Sequence, residues 1–421
     1  MKNELRAVLA LALAGCALAG CGTTPPPRPV MAHGVALREP LVSPRPYGAA
    51  DAAFGLDVLG AWCRAEPQAN LVLSPSSLAS GLGMAYLGAR GATAQAMDGA
   101  LHLPAASGQA LEAGLQARSA ALRGLDGPGV TVNATDQVWA DPTLNTLHSY
   151  LDAVATGYGA GVARVPLLSK PDQAVQQIDQ AIATATQGLI PQLLAPGSLR
   201  DIGWMLTDAL YLKADWTTPF QASETGPGPF TTAAGRQVSA QFMNGGPYAA
   251  ASTDGWTAVW LPYGNGRLAM MALLPPAGPG GCALPTAAQL GALATTLAAG
   301  GTAGPVLSRE ISLPKVNLQN QVSMRALLSA LGMGVAFTPA ADFSALSPQA
   351  CCIGLVEHAA TLQVGEKGTV ASAATAVGVS VGAAPAVLPP ITFDRPYLMV
   401  VTDRTTGEPL FMARVTDPTQ P

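Results

Sequence analysis

The residues of this chain best suited to covalent chemistry are a serine and the glycines on either side of it. Gly378 to Gly382 fit the pattern G-x-S-x-G, in which the serine is a nucleophile on a sharp turn between a strand and a helix. The chemistry would be hydrolysis by Ser380. The turn requires a helix after the serine, but Ala383-Ala384-Pro385 follows, and proline interrupts helices. A hydrolase therefore stays a rival interpretation, while the Gly, Ser and Val content of the segment favours a chance match.

Histidines and cysteines do not show the spacing of a metal or redox site. The four histidines are dispersed, and no Cys-x-x-Cys or Cys/His pattern occurs, so we expect no metal and no cofactor. Beyond the N-terminal region four cysteines remain: Cys63, Cys282, Cys351 and Cys352. Adjacent cysteines do not bridge each other easily without strain. The sequence leaves open whether any disulfide forms among the four.

Ser380 belongs to a longer segment, residues 366–390, that combines features of a strand and of a loop. Every second residue is small or β-branched, which is the period of a strand with one face meant to pack: Thr369, Ala371, Ala373, Thr375, Val377, Val379 and Val381. Gly378, Gly382 and three prolines make the same segment a poor permanent strand. The pattern indicates a segment that can become a strand without being one at the outset.

Composition limits the possible classes of protein. The chain has 421 residues, of which 49% are hydrophobic and 11% charged, with 22 basic and 26 acidic groups. This length supports one large domain or two ordinary ones with a substantial core. No cluster of Lys and Arg is present to neutralise phosphates, so we expect no nucleic-acid partner.

The N-terminus has the features of an export signal. Lys2 and Arg6 precede an apolar run, Ala7–Ala19, which is too short to span a bilayer. The run ends in two consecutive Leu-Ala-Gly-Cys motifs, which end at Cys16 and Cys21. They resemble the lipobox of bacterial lipoproteins, whose cysteine is lipidated. We expect residues 1–20 to be a lipoprotein signal peptide and Cys21 the lipidated residue. The alternative is a secretory signal with incidental cysteines.

The rest of the chain divides into a leader and one domain. Residues 21–46 are Pro-rich and aperiodic, which predicts an extended tether, and residues 47–421 contain no second linker. Ser74-Pro75 has the residues that begin a helix, while Val130–Ala140 and Trp204–Lys213 have the pattern of buried strands. Helical patterns come early and strand patterns late, which predicts an α+β fold.

Several motifs in order along residues 52–421 resemble the serpin family of serine protease inhibitors. NLVLSPSSLASGLGMAYLGARGAT resembles its N-x-x-x-S-P-x-S helix, and LTDALYLKADWTTPF its central strand. LLSALGMGVAFTPAADFSALS, VEHAATLQVGEKGT and FDRPYLMVVTDRTTGEPLFMARV resemble its later helix, the strand entering its reactive loop, and its C-terminal strands. The resemblance implies a large mixed central β-sheet, smaller additional sheets, surrounding helices and an exposed reactive-centre loop.

The resemblance also implies a mechanism for residues 366–390. In serpins a protease cleaves the loop, which then inserts as an extra strand in the main sheet. The implied hinge consists of Glu366, Gly368, Thr369, Ala371, Ala373 and Thr375. These residues are small and uncharged after Lys367, as a strand that slips between two others requires, which favours a suicide inhibitor over a non-inhibitory serpin.

The bond that the protease would cut is implied by counting from Glu366. The count gives Gly382-Ala383, within a window from Val381 to Ala384. All of these residues are small and neutral, which suits elastase-like or subtilisin-like serine proteases and disfavours trypsin-like ones. A non-inhibitory serpin and an inhibitor of cysteine proteases remain alternatives. We expect no enzymatic activity.

The resemblance further implies residues that govern opening of the sheet: Ser74, Ser77, Asp208, Trp216, Lys315 and His358. Asp208 replaces the usual Asn, and a His358–Asp208 hydrogen bond would make opening sensitive to pH. An ordinary buried pair is the alternative. We expect a monomer attached to a membrane only through its lipid, on the outer membrane, facing the periplasm or on the cell surface, because Gly22 is not the Asp associated with inner-membrane retention.

Overall fold

The structure is a computed structural model that describes residues 27–134, 136–264, 266–276, 278, 281–299, 306–369 and 389–421. The α-helices in this part are α1 (Arg45–Ala65), α2 (Pro75–Gly88), α3 (Gly91–Leu101), α4 (Gln109–Arg123), α5 (His148–Tyr158), α6 (Pro171–Ala185), α7 (Ala287–Ala298) and α8 (Arg325–Ala330). Short 3-10 helices occupy Ala222–Glu224 and Met333–Phe337.

The strands follow the same chain order. They are β1 (Val30–Ala32), β2 (Leu71–Leu73), β3 (Val130–Ala134), β4 (Gln137–Ala140), β5 (Val162–Arg164), β6 (Trp204–Asp215), β7 (Gly226–Thr231), β8 (Gln237–Thr253), β9 (Trp256–Pro262), β10 (Leu268–Leu274), β11 (Leu307–Pro314), β12 (Val316–Ser323), β13 (Val356–Gly365), β14 (Gly368–Thr369), β15 (Ile391–Thr392), β16 (Tyr397–Asp403) and β17 (Pro409–Val415).

These strands form two sheets. The main sheet has the order β1-β5-β4-β6-β14-β13-β12, with β3 also paired to β6. The second sheet has the order β15-β11-β8-β9-β10-β16-β17-β2, with β7 paired to β8. Most neighbours in the second sheet are antiparallel, whereas the main sheet mixes parallel and antiparallel pairs. The prediction of an α+β fold with a large mixed sheet is confirmed.

Apolar side chains fix the layers. Strands β10, β16 and β17 are buried along their whole length and share one core with the upper part of β6. Helix α6 crosses the other face of the main sheet, where Ile178 and Ile182 pack into one cluster with Met205 and Ala209 of β6. Both faces of β6 are therefore covered, which explains why the sequence of this strand is almost continuously apolar.

Helix α2 begins as its sequence predicts. The Ser74 hydroxyl accepts the backbone N–H of Ser77 at 3.2 Å, and Pro75 occupies the first helical position. The helix then passes close to α5: a Cβ added at Gly83 would lie 2.0 Å from the Tyr158 hydroxyl oxygen. Its small residues therefore permit a helix approach that larger side chains would block.

One disulfide joins α1 to the segment before α7. It links Cys63 and Cys282, 219 residues apart in sequence, and so answers the pairing that the sequence left open. Cys351 and Cys352 are free thiols whose sulfur atoms lie 3.0 Å apart.

The predicted tether needs correction over its described part. Residues 30–32 form an edge strand of the main sheet, the backbone N–H of Leu37 donates to Thr156 Oγ1 at 2.9 Å, and α1 already begins at Arg45. These contacts satisfy backbone groups that a free tether would leave to water, so residues 30–46 belong to the folded domain. The predicted signal peptide and Cys21 lie outside the described residues. No helix in the described part is both long and apolar enough to cross a bilayer.

Candidate functional site

The main sheet contains a partial gap between β6 and β13. The two strands pair directly, in parallel, only from Val356–Ala360 to Leu206–Leu210. Above this level β14 lies between them and pairs antiparallel with both, so that Thr369 faces Val364 on one side and Ala214 on the other. Over residues 211–213 and 361–363, no described strand lies between the two. Gly368 and Thr369 of the hinge are therefore already seated at the top of a gap.

Gly368 and Thr369 fit this position closely. Thr369 is 1% exposed, and its hydroxyl lies 2.6 Å from the hydroxyl of Tyr263. Gly368 has φ of +148°, and a Cβ there would lie 2.0 Å from the Ala214 carbonyl oxygen. Only glycine suits both the backbone angle and the close approach. The side chain of Thr369 thus faces the interior of the protein at the top of the gap.

The backbone just before β14 is held by the segment that follows β6. Trp216 Nε1 donates to the Gly365 carbonyl at 2.8 Å, and the Trp216 backbone N–H donates to the Lys367 carbonyl at 2.8 Å. The Phe220 backbone N–H donates to the Glu366 carbonyl at 2.8 Å. The Trp216 indole also stacks on the ring of Tyr263, with centroids 4.2 Å apart. Trp216 therefore joins the hinge to the residue that holds Thr369.

Glu366 and Lys315 form an ion pair at the edge of this site. Lys315 Nζ lies 3.0 Å from the Glu366 carboxylate. Burial alone would raise the pKa of Glu366, but a backbone hydrogen bond and the ammonium of Lys315 together hold that pKa below its usual value. The Lys315 side chain is 42% exposed, so solvent screens the pair and its contribution to stability is small.

The four predicted residues beneath the sheet lie together. His358 Nε2 accepts the backbone N–H of Ser74 at 3.2 Å, and His358 Nδ1 lies 2.9 Å from Asp208 Oδ1. Since Nε2 is an acceptor, the neutral ring carries its proton on Nδ1 and donates it to Asp208. Both side chains are almost fully buried. A proton on His358 Nε2 would place an N–H donor of the ring against the backbone N–H donor of Ser74.

Asp136, which the sequence reasoning missed, completes this cluster. The Ser77 hydroxyl donates to Asp136 Oδ1, just before β4. Burial, reinforced by the negative charge of Asp208, raises the pKa of Asp136 to about 8 in spite of the Ser77 hydrogen bond. Asp208 Oδ2 is buried without a hydrogen-bond partner in the described structure. Below pH 8, then, a neutral Asp136 stands beside the His358–Asp208 pair. The only sequence signal that could have identified Asp136 is the position of an acidic residue between the two strand segments that became β3 and β4.

A buried arginine, also missed, fixes α1, α2 and α4 beside this cluster. Arg118 is 3% exposed; its Nε donates to Asp51 Oδ2 at 2.6 Å, and its Nη2 lies 2.9 Å from Glu408 Oε1. The same guanidinium donates to the Ser76 carbonyl and the Ser80 hydroxyl on α2. Sequence separation hides this network, because its carboxylates lie 67 residues before Arg118 and near the C-terminus.

The remaining predicted site residues lie outside the described residues: the hinge positions Ala371, Ala373 and Thr375, and the reactive-bond window Val381, Gly382, Ala383 and Ala384. Within the described chain, no group of three or more His, Cys, Asp or Glu side chains is placed to hold a metal ion. The site is thus a gap in a sheet with a hinge at its top and a polar cluster at its base.

Comparison with known proteins gives a consistent result. A family profile described as serpin (serine protease inhibitor) matches residues 49–418. An uncharacterized serpin-like protein of Thermococcus kodakarensis is 29% identical, over 83% of this chain and 81% of its own. A leukocyte elastase inhibitor of Bos taurus is 26% identical, over 88% of this chain and 99% of its own. The thermophilic serpin tengpin, solved in its native state, superposes with a TM-score of 0.80 at 21% identity, over 93% of this chain and 100% of tengpin. The chain belongs to the serpin family.

Proposed function

We propose that the chain is a suicide inhibitor of serine proteases that traps its target by inserting the cleaved loop between β6 and β13. The observation that carries this proposal is β14: Gly368–Thr369 pairs with both strands at the top of the gap. Each further hinge residue that enters the gap extends the backbone hydrogen bonding that β14 already makes with β6 and β13. Insertion needs no new site in the fold, only separation of the five residue pairs from Val356–Ala360.

The free energy available from insertion is large compared with the stability of a typical domain. About fourteen newly paired residues, at roughly 0.5–1.5 kcal/mol for each hydrogen bond, give on the order of 10 kcal/mol before packing is counted. Typical domains are stable by about 5–15 kcal/mol. A loop that pulls an attached protease with this free energy can therefore distort its active site before the acyl bond is hydrolysed.

The proposed targets are elastase-like or subtilisin-like proteases. The bond window Val381–Ala384 contains only small neutral side chains, which fit a shallow apolar specificity pocket and offer nothing to a pocket that requires Arg or Lys. The Bos taurus relative is named as an inhibitor of leukocyte elastase, which agrees with this class. An inhibitor of cysteine proteases and a non-inhibitory serpin are the alternatives that the same experiment separates.

We further propose that the protein is an exported lipoprotein attached through Cys21, on the outer membrane, facing the periplasm or on the cell surface. The two Leu-Ala-Gly-Cys words after a short apolar run support this location. The Cys63–Cys282 disulfide agrees with folding in an oxidising compartment. Mass spectrometry of the N-terminal peptide from cells would test it: a diacylated Cys21 supports the proposal, and an unmodified Cys21 contradicts it.

The inhibitory function is tested by separate incubations with pancreatic elastase, subtilisin and papain, followed by denaturing electrophoresis. We expect a complex that survives SDS, together with a released C-terminal fragment whose first residue identifies the cleaved bond. Cleavage without a complex would contradict inhibition and indicate a non-inhibitory serpin. Complex formation with papain instead would indicate the cysteine-protease alternative. Esterase activity that disappears in Ser380→Ala would indicate the hydrolase.

A further inference from the structure

The N-terminal strap, defined as residues 27–45, exposes large apolar side chains where a soluble surface would carry polar ones. Most of the exposed large hydrophobic residues in the described chain lie on it: Val30, Met31, Val35, Leu37, Leu41 and Val42. Leu41 is 98% exposed, and Val30 and Val35 are each 69% exposed. Exposed apolar side chains that are clustered, rather than scattered, indicate a contact surface.

The strap is held to the domain through its backbone and not through these side chains. Its first strand, β1, pairs with β5, and the backbone N–H of Val35 donates to Asp152 Oδ1 at 2.7 Å. The Leu37 carbonyl accepts Gln116 Nε2 at 2.8 Å. Backbone groups thus face the protein while the apolar side chains face outward. Folding accounts for this arrangement only in part, because Leu41 is almost fully exposed and Val30, Val35 and Leu37 leave more than half of their surface exposed.

The exposed charges on the strap have a single sign. Arg28, Arg38 and Arg45 are exposed, whereas Glu39 is buried. None of the three arginines forms an ion pair within the described residues. The whole chain, in contrast, has a net charge of −4. Arginines interleaved with exposed Val, Leu and Met are the composition of segments that lie at the surface of an anionic bilayer.

The strap begins at the end of the main sheet that lies farthest from the hinge. Across this end of the sheet, Val30 of β1 pairs with Arg164 of β5, and Arg164 pairs with Ala140 of β4. Ala140 in turn pairs with Trp204, the first residue of β6. Thr369 pairs near the last residue of the same strand. Twelve strand residues span about 36 Å at 3.3 Å per residue, so the strap's start and the reactive loop leave from opposite ends.

We propose that the strap, which begins at the end of the main sheet opposite the hinge, docks its apolar and cationic side chains on an anionic bilayer. This inference rests on the proposed lipidation of Cys21, which would anchor the chain to the same membrane. Residues 22–26 separate Cys21 from Pro27, and such a length reaches at most about 20 Å. A bilayer that holds the anchor is therefore always within reach of the strap.

The bilayer suits this surface better than a second copy of the chain does. A two-fold contact between straps would place arginines against arginines, with no acidic side chain of the strap exposed to pair with them. The anionic headgroups of a bilayer supply the negative charge that a second copy of the strap lacks.

The test uses the chain from residue 22 to 421 without an acyl group, sedimented with phosphatidylcholine vesicles that contain or lack phosphatidylglycerol. We expect binding to the anionic vesicles that weakens with salt. Val35→Ser/Leu37→Ser/Leu41→Ser should weaken binding by at least about tenfold, since each side chain loses apolar area in contact with lipid. Leu307→Ser, at a 48% exposed position on β11, is the matched control and should bind as the parent does.

Two results would overturn the proposal. One is equal sedimentation of the parent and the triple variant. The other is a concentration-dependent dimer that the triple variant lacks, which would make the strap a self-association surface. Because the chain used here carries no lipid, its binding does not depend on Cys21, and the mass of the N-terminal peptide tests the anchor separately. The docking of the strap can thus be refuted while the lipid anchor at Cys21 is supported, and the anchor can be refuted while the docking is supported.

Discussion

Under the proposed mechanism, replacing Thr369 with arginine should turn the chain from an inhibitor into a substrate. Thr369 is 1% exposed and hydrogen-bonded to Tyr263 between β6 and β13, so an arginine there must either stay outside the gap or bury an unpaired guanidinium. Burial of an unpaired charge costs several kcal/mol. The loop must pass this residue before any later one enters, and hence insertion as a whole is slowed.

The size of the effect follows from the competition between insertion and hydrolysis of the acyl-enzyme. Each 1.4 kcal/mol added to the insertion barrier changes the partition about tenfold, so a cost of several kcal/mol shifts almost all of the flux to hydrolysis. We expect Thr369→Arg to be cleaved at an unchanged rate while the yield of SDS-stable complex falls more than tenfold.

The matched control is Thr369→Val, which keeps the shape and removes only the hydrogen bond to Tyr263. It should retain most of the complex yield, because a neutral side chain of the same size still enters the gap. Denaturing gels that quantify complex and cleaved chain over time distinguish the two variants. If Thr369→Arg traps protease with the same stoichiometry as the parent, insertion through this position is not the trapping step.

Three further predictions concern the supports of the gap. The raised pKa of Asp136 means that the native state holds a proton that the unfolded chain releases near pH 4. The contribution of Asp136 to native stability should therefore be full below that pH and fall by a few kcal/mol as pH rises towards 8. Urea unfolding should show this slope in the parent and in Asp172→Asn, an exposed control, but not in Asp136→Asn; an unchanged slope would refute the assignment. Cys63→Ser/Cys282→Ser should lose roughly 2–5 kcal/mol of stability, and a calorimetric midpoint equal to the parent's would contradict this. Lys315→Met should change the free energy of unfolding by less than about 1 kcal/mol. The change should occur only above the lowered pKa of Glu366, because a paired carboxylate loses its stabilisation as pH falls through that pKa. A larger loss would mean that the ion pair is needed to hold the hinge in place.

The parts of the site that sequence could predict are those determined by local pattern. The alternation through Thr369 indicates a strand face, and Ser74-Pro75 indicates the start of α2 because capping depends on neighbouring residues. The segment Val130–Ala140 was predicted as one strand, yet the structure divides it into β3 and β4. Asp136 lies at this division, where its carboxyl meets Ser77.

The parts that sequence could not predict depend on contacts between distant residues. Arg118 joins α4 to Asp51 of α1 and to Glu408, just before β17. No periodicity of α4 distinguishes a buried arginine from an exposed one. The strap was predicted as a free tether because its prolines and lack of period are typical of linkers. Its backbone instead binds to β5 and to the side chains of α4 and α5, which composition does not reveal.

The central claim, that the gap between β6 and β13 receives the cleaved loop, is tested most directly by the stability of the cleaved chain. The loop is cut by a protease that forms no complex, and the cut and intact chains are unfolded in parallel in guanidinium. Loop insertion predicts a large upward shift of the midpoint, consistent with a gain on the order of 10 kcal/mol from the new strand. Equal midpoints for the two forms would mean that the loop stays outside the sheet, and would contradict the proposed mechanism.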